Sequence, residues 1–86
     1  MKKILFKVMK NKIINLIKIL GFGINELVID ISLTAGDFHS IEWEKSSNKV
    51  YLHLFKGEDL DIMFDFDDLE EEDQLKIYQN LAIFYN

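Results

Sequence analysis

The sequence predicts an α+β fold: a four-stranded antiparallel meander with an N-terminal and a C-terminal helix packed on one face, in the order α-β-β-β-β-α. Apolar residues recur at helical spacing near both ends of the chain. In the middle of the chain, apolar and polar residues alternate with a period of two. We expect a single domain, 1–86, because the sequence contains no linker or repeat. With 49% hydrophobic residues, the chain can form a core.

The first segment, "MKKILFKVMKNKIINLIKIL", predicts an amphipathic helix that covers the sheet. Lysines and asparagines fill most of its polar half, where Ile4 and Ile14 are the apolar exceptions. Gly21 and Gly23 are expected to end the helix. Lysines interrupt the apolar run and no small-residue cleavage site follows, so neither a signal peptide nor a membrane span is expected. The predicted apolar arc consists of Leu5, Phe6, Val8, Met9, Ile13, Leu16, Ile17, Ile19 and Leu20.

From Glu26 onward, alternating apolar and polar residues predict four strands joined by three short turns. The strands are "LVIDISL", "HSIEWEK", "VYLHLF" and "LDIMFDF", and the turns are "TAGD", "SSN" and "KGED". One face is apolar in every strand, and a second helix over "LEEEDQLKIYQNLAIFY" joins the first in covering it. The other face is left to solvent.

The "SSN" turn gives an expected register for the two central strands. A turn at Ser47-Asn48 pairs Lys45 with Val50 and keeps every apolar residue on one face. The pairs that follow are Trp43 with Leu52, Ile41 with Leu54, Glu44 with Tyr51, Glu42 with His53, and Ser40 with Phe55.

The segment "DIMFDFDDLEEED", residues 61–73, holds eight carboxylates in thirteen positions. Asp61 and Asp65 alternate with apolar residues, which predicts that both lie on the outer face of the last strand, in solvent. Asp68 and Glu71 have the spacing of a helix capping box, and the acids at 70–72 favour the positive end of the helix dipole. A structural interpretation therefore accounts for most of the acidic segment.

Few residues indicate chemistry, and neither a catalytic site nor a cofactor or metal is predicted. The absence of Cys excludes thiol nucleophiles and disulfides and fits a reducing compartment, so a cytoplasmic location is expected. The acidic segment lacks the glycine of a calcium loop. His53 with Glu42 and Asp61 is a thin ligand set for a transition metal.

The outer face of the predicted sheet is the candidate binding surface. It combines aromatic and methionine side chains with acids, a composition that suits a basic protein partner. The expected function is that of a small acidic non-enzymatic binding protein, an inhibitor or immunity-type protein that occludes a basic, nucleic-acid-processing partner. The candidate partner-binding residues are Glu42, Glu44, Tyr51, His53, Phe55, Asp61, Met63 and Asp65, with Asp30 of the first strand beside them.

Two other functions remain open. One is a structural role in which the sheet pairs with a second copy, so that the protein is a homo-oligomer. The other is a membrane-surface role for the first helix, because residues 1–25 carry +6 and residues 26–86 carry −11, which together give the net charge of −5. Direct binding of nucleic acid is not expected. The chain has no Arg, and the lysine stripe of the first helix lacks the interleaved aromatic residues of a nucleic-acid-binding patch.

Overall fold

The computed structural model describes residues 3–20, 24–25 and 29–84. Two helices and an antiparallel sheet confirm the predicted α+β class, with five strands instead of four. The elements are α1 (Lys3–Leu20), β1 (Ile24–Asn25), β2 (Ser32–Leu33), β3 (Gly36–Glu44), β4 (Lys49–Lys56), β5 (Asp59–Asp65), a 3-10 turn (Phe66–Asp68), α2 (Glu71–Asn80) and a second 3-10 turn (Ala82–Phe84).

The first predicted strand, residues 27–33, is only partly a strand. Ser32 and Leu33 form β2, whereas the prediction at 27 and 28 lies outside the described residues. Ile29 and Ile31 are buried without belonging to a strand, and the Phe38 N–H donates to the Ile31 carbonyl at 3.0 Å. The alternation in this segment therefore reflects the burial of every second side chain, which does not require a continuous hydrogen-bonded ladder.

The register of β3 and β4 differs from the prediction by two residues. Trp43 lies opposite Val50, so the turn comprises four residues, Lys45–Asn48, instead of two. A shift by two leaves every side chain on its predicted face, because side chains alternate with that period. The observed pairs are Ile41 with Leu52, Glu42 with Tyr51, Ser40 with His53, Asp37 with Phe55, and Glu44 with Lys49.

Side chains of the turn itself explain the longer connection. The hydroxyls of Ser46 and Ser47 each donate to Glu44 at 3.0 Å, and Asn48 accepts from the Trp43 indole N–H at 3.0 Å. Asn48 has a φ of 56°, a left-handed conformation that asparagine tolerates better than most residues. These local bonds favour the four-residue turn over the tighter one.

The sheet has the order β1-β3-β4-β5, and β2 pairs with β3 beside β1. All these pairs are antiparallel. A register shift between Phe38 and Ser40 inserts His39 as an extra residue in β3, which is the geometry of a β-bulge. Among the strands that the structure describes, β5 has a hydrogen-bonded neighbour on one side only, β4.

Both helices pack on the inner side of the sheet, as predicted. One cluster of buried side chains joins α1, the sheet and α2. Its members include Ile13 and Ile17 of α1, Leu52 and Leu54 of β4, and Ile77 of α2. Burial of aliphatic side chains on this scale contributes about 25 cal/mol per Å² of apolar area removed from water. Within the described parts of the chain, no helix is both long and apolar enough to cross a membrane.

The helix α1 is rotated about its axis relative to the prediction. Ile14 is buried, whereas Val8 and Ile19, both predicted in the apolar arc, are exposed, Ile19 by 81%. Contacts with the turn after β5 account for this orientation. The rings of Phe6 and Phe66 stack with centroids 5.9 Å apart, and the Lys10 ammonium lies 3.0 Å from Asp67.

The predicted capping box of Asp68 and Glu71 is wrong. A 3-10 turn intervenes after β5, so α2 begins at Glu71, and its N-cap residue Glu70 makes no side-chain capping bond. Asp65 caps the 3-10 turn instead and accepts from the Asp67 N–H at 2.9 Å. The turn buries Phe66 and Leu69, and this burial sets the position at which the helix begins.

Candidate partner-binding face

The outer face of β3, β4 and β5 carries all eight residues predicted to bind a partner. Directly paired residues of an antiparallel sheet point to the same side. One row across the strands contains Glu42, Tyr51 and Asp65, and the next contains His53 and Met63. We call the eight residues the acidic sheet face: Glu42, Glu44, Tyr51, His53, Phe55, Asp61, Met63 and Asp65. The structure does not bring Asp30 into this face, because Asp30 lies outside the strands.

His53 occupies the middle strand and contacts a carboxylate on each side. Its Nδ1 lies 2.8 Å from Oδ1 of Asp61, and its Nε2 lies 3.0 Å from Oε1 of Glu42. Neither acid is directly opposite His53 in the ladder, so both contacts are diagonal ones that longer side chains can reach. Ionised carboxylates only accept, and both contacts are therefore hydrogen bonds only when both ring nitrogens carry a proton.

The environment raises the pKa of His53 above its ordinary value of 6.5. Partial burial is the largest single influence and lowers the pKa, because it disfavours the charged ring. The hydrogen bonds to Glu42 and Asp61, together with the negative charges of these two groups, raise the pKa and outweigh the burial. The protonated ring neutralises part of the negative charge at the centre of the acidic sheet face.

Apolar side chains lie beside this charged centre. Met63 is 58% exposed, although methionine is usually buried, and it neighbours His53 in the ladder. Tyr51 and Phe55 are half-buried, and the Phe55 ring lies against His39 with centroids 4.6 Å apart. The bulge at His39 therefore supports an aromatic side chain of the face. An accessible apolar centre with charged neighbours is the arrangement found in many protein interfaces.

Asp65 is not the solvated acid that the alternation predicted. Its side chain is only 15% exposed, because it caps the following 3-10 turn and lies 3.6 Å from the Lys49 ammonium. The chain turns immediately after β5, and the first free N–H groups of that turn need an acceptor. Sequence reasoning also omitted Lys49 from the face, although its position in the alternation of β4 places it there, opposite Glu44.

The far end of the acidic segment has a structural role that the sequence did not indicate. Asp73 is 1% exposed and accepts the backbone N–H of Thr34 at 2.9 Å, the Thr34 hydroxyl at 2.5 Å and the Ala35 N–H at 3.3 Å. The neighbouring Gln74 donates to the carbonyl of Phe66 at 2.8 Å. The Asp73 bonds attach α2 to the turn between β2 and β3, and the Gln74 bond attaches α2 to the 3-10 turn after β5. No local signal could reveal a contact between residues this far apart in sequence.

Within the described ranges, no three His, Asp or Glu side chains are grouped to hold a metal ion. The two nitrogens of His53 face separate carboxylates and do not converge with them on one point. An open cleft of about 320 Å³ lies on another part of the surface, where Phe64 of β5 meets the β2–β3 turn and residues 68–70. Its lining residues are Thr34, Ala35, Lys56, Phe64, Asp68, Leu69 and Glu70.

No protein-family model, curated protein sequence or solved structure matches the chain. Function must therefore be inferred from the side chains that the fold places together. Among them, the acidic sheet face combines exposed apolar surface, carboxylates and a histidine shared between two strands.

Proposed function

We propose that the protein is a small non-enzymatic binding protein that places its acidic sheet face against a basic protein partner. The observation that carries this proposal is the exposed Met63 beside Glu42, His53 and Asp61, on the side of the sheet opposite the helices. Apolar contacts supply affinity in such interfaces, whereas complementary charges steer association and select the partner.

A protein that processes nucleic acid is the partner class that fits best. Its binding groove is rich in Lys and Arg because it must neutralise phosphates. Carboxylates held on a rigid sheet can occupy that groove in place of phosphates, and the protein then acts as an inhibitor or immunity-type protein by occlusion. The carboxylates of Glu42 and Asp61 are both largely exposed and available for this contact.

Charge reversal on the acidic sheet face tests the proposal. The partner that co-purifies with the native protein is used to measure association rates at low and high salt. We expect the double variant Glu42→Lys/Asp61→Lys to associate more slowly than the native protein, and its rate to depend less on salt. A matched control, Asp30→Lys/Glu72→Lys, makes the same charge change at exposed positions outside the face.

The two variants separate a local surface from a general charge effect. Retention of native affinity by Glu42→Lys/Asp61→Lys would falsify the proposed surface. Equal losses in both variants would show that the partner responds only to net charge. Met63→Ala shortens the apolar side chain at the centre of the face and should instead speed dissociation. If Met63 anchors the interface, the binding free energy should weaken by about 1–3 kcal/mol.

The membrane-surface role has less structural support than the sequence suggested. An amphipathic helix binds a membrane through its apolar face, and in α1 most of that face is buried in the core. Val8 and Ile19 remain exposed on the other side, near Lys12 and Lys18. Flotation with anionic vesicles tests this alternative directly, with Ile19→Glu as the variant that should abolish any binding.

A further inference from the structure

The edge strand β5 has hydrogen-bonding capacity that the described chain does not use. It is seven residues long and pairs only with β4. At the other side of the sheet, β1 and β2 both pair with β3 and cover its edge between Gly36 and Ile41. A row of main-chain N–H and C=O groups along an open edge is a template for one more strand.

The inner side of the sheet is also incomplete at β5. Ile62 and Phe64 point inward and are only half-buried, although their partners on β4, Leu54 and Leu52, are completely buried. The open cleft of about 320 Å³ lies against Phe64. An added strand would therefore find apolar surface on the inner side as well as hydrogen-bonding groups along the edge.

Antiparallel pairing of β5 with the β5 of a second copy brings like charges together in its three central registers. We consider two β5 strands paired antiparallel, with the inner side chains of both strands on the same side of the sheet. If Asp61 is the residue at the centre of the pairing, the two copies of Asp61 lie opposite one another. A register centred on Ile62 places Asp59 opposite Asp65, and one centred on Met63 places Asp61 opposite Asp65. Like charges directly opposite one another destabilise a strand pair, so these three registers are disfavoured relative to pairing with a basic segment.

We propose that β5 accepts an extended, basic segment of the partner as an additional strand of the sheet. This inference rests on the proposed function and specifies how the partner is held. Lys or Arg at alternate positions of the segment would lie on the outer side next to Asp61, and apolar residues between them would lie next to Ile62 and Phe64. Main-chain hydrogen bonds then supply affinity, and the alternating side chains supply specificity.

Peptides of seven residues, the length of β5, test this inference with the full chain. The probe is a blocked peptide of alternating Lys and Val, and amide hydrogen exchange is followed residue by residue by NMR. We expect the peptide to slow exchange at alternate amides of β5 by about tenfold or more, because those amides enter a ladder. The same peptide with N-methyl groups on alternate amides keeps its charge but cannot complete the ladder, and should give no protection.

Selection by charge is tested by reversing the charge of the peptide and, separately, the charge at position 61 of the protein. A peptide of alternating Glu and Val should not protect β5 of the native protein, whereas the Asp61→Lys variant should prefer it over the Lys peptide. The exposed Asp30→Lys, which lies outside β5 and outside the cleft against Phe64, should not change the preference. If the Glu peptide protects native β5 as well as the Lys peptide does, charge complementarity has no role and the inferred occupant is wrong.

The remaining outcomes distinguish this inference from the proposed function. Equal binding of the N-methylated peptide, or binding without protection of β5, overturns strand addition but leaves a basic partner on the acidic sheet face. Protection of β5 that rises with protein concentration and needs no peptide shows self-pairing and overturns the inferred occupant. Absence of binding by every peptide also overturns the inference, while Glu42→Lys/Asp61→Lys measured against the co-purified partner still decides the proposed function.

Discussion

Asp61 and Asp73 begin and end the same acidic segment, yet they stand in opposite environments. The Asp61 side chain is 61% exposed and shares His53 with Glu42 on the outer face of the sheet. Asp73 is 1% exposed and accepts three hydrogen bonds from Thr34 and Ala35 in the turn between β2 and β3. Burial of a carboxylate is costly unless donors compensate it, and the turn between β2 and β3 supplies these donors.

The difference shows that the density of charge in a segment does not indicate its function. Asp73 uses its hydrogen-bonding capacity within the fold, so it has little left for a ligand. Asp65 is intermediate, because it caps a turn and pairs with Lys49. Asp61 stabilises the protonated form of His53 and remains accessible to a partner. Four predictions test this division, from the largest expected effect to the smallest.

Replacement of Asp73 should destabilise the protein more than replacement of any other acid in the segment 61–73. Asp73→Ala removes the acceptor of three hydrogen bonds and leaves a buried gap next to the Thr34 turn. We expect the free energy of unfolding to fall by about 2–4 kcal/mol, since hydrogen bonds to charged groups are among the stronger ones. Urea unfolding followed by circular dichroism measures the change.

The control for Asp73 is Glu72→Ala, which removes an exposed carboxylate from the same helical turn. It should change the free energy of unfolding by about 0.5 kcal/mol or less. Similar losses in the two variants would mean that helix-dipole effects dominate and that the contact with Thr34 contributes little.

Asp65 should show a smaller structural effect. Asp65→Ala removes the cap of the 3-10 turn and the ion pair with Lys49, and we expect a loss of about 1 kcal/mol in the free energy of unfolding. Asp68→Ala, in the same turn but exposed, is the comparison and should be near neutral. If both variants are neutral, Asp65 belongs with the solvated acids, as its place in the sequence alternation suggested.

The His53 contacts predict a stability that depends on pH. The pKa of His53 is higher in the folded chain than the ordinary 6.5, so folding favours the protonated ring. This contribution is complete below pH 6.5 and is lost as the pH rises through the folded-state pKa. Both carboxylates are exposed, so the effect should be about 0.2–1 kcal/mol, measured as the stability difference between the native protein and His53→Gln at about pH 5.5 and about pH 8.5.

Removal of either acid should reduce this pH dependence. Glu42→Gln and Asp61→Asn should each lower the pKa of His53, which NMR titration of its ring protons reports directly. An unchanged pKa in both variants would show that the diagonal contacts do not form in solution. A stability difference that grows with rising pH has the opposite sign and contradicts the pairing as well.

The smallest effect is expected at Glu42 when stability alone is measured. Glu42→Lys on the outer face should change the free energy of unfolding by about 0.5 kcal/mol or less, because its side chain is largely exposed. The same substitution should still alter binding to a basic partner. A large loss of stability would place Glu42 with Asp73 among the structural acids and would weaken the proposed function.

Sequence reasoning predicted the two faces of the sheet well and its pairing poorly. The alternation in "VYLHLF" assigned Leu52 and Leu54 to the core and His53 to the outer face, and burial confirms both assignments. It could not determine the register with β3, because a shift by two residues preserves every face. Bonds within the turn, such as Trp43 to Asn48, decide between such registers.

Contacts between distant segments were the other limit of prediction. The rotation of α1, with Ile14 inside and Ile19 outside, depends on the turn at Phe66 that α1 packs against. Similarly, the spacing of Asp68 and Glu71 satisfied a capping box, but burial of Phe66 and Leu69 moved the start of α2. Local patterns compete with such tertiary contacts and are overridden where burial is more favourable.

By itself, the sequence determined the class of the fold, the side of the sheet that is covered, and the placement of Glu42, Tyr51, His53 and Met63 on the other side. These properties follow from periodicity, because the spacing of apolar residues fixes which side chains must leave water. Only the tertiary structure decided that Asp73 is buried against Thr34 while Asp61 stays exposed beside His53. The physical reason is that a carboxylate is stable in either environment, and which one it occupies depends on donors that the fold brings from elsewhere in the chain.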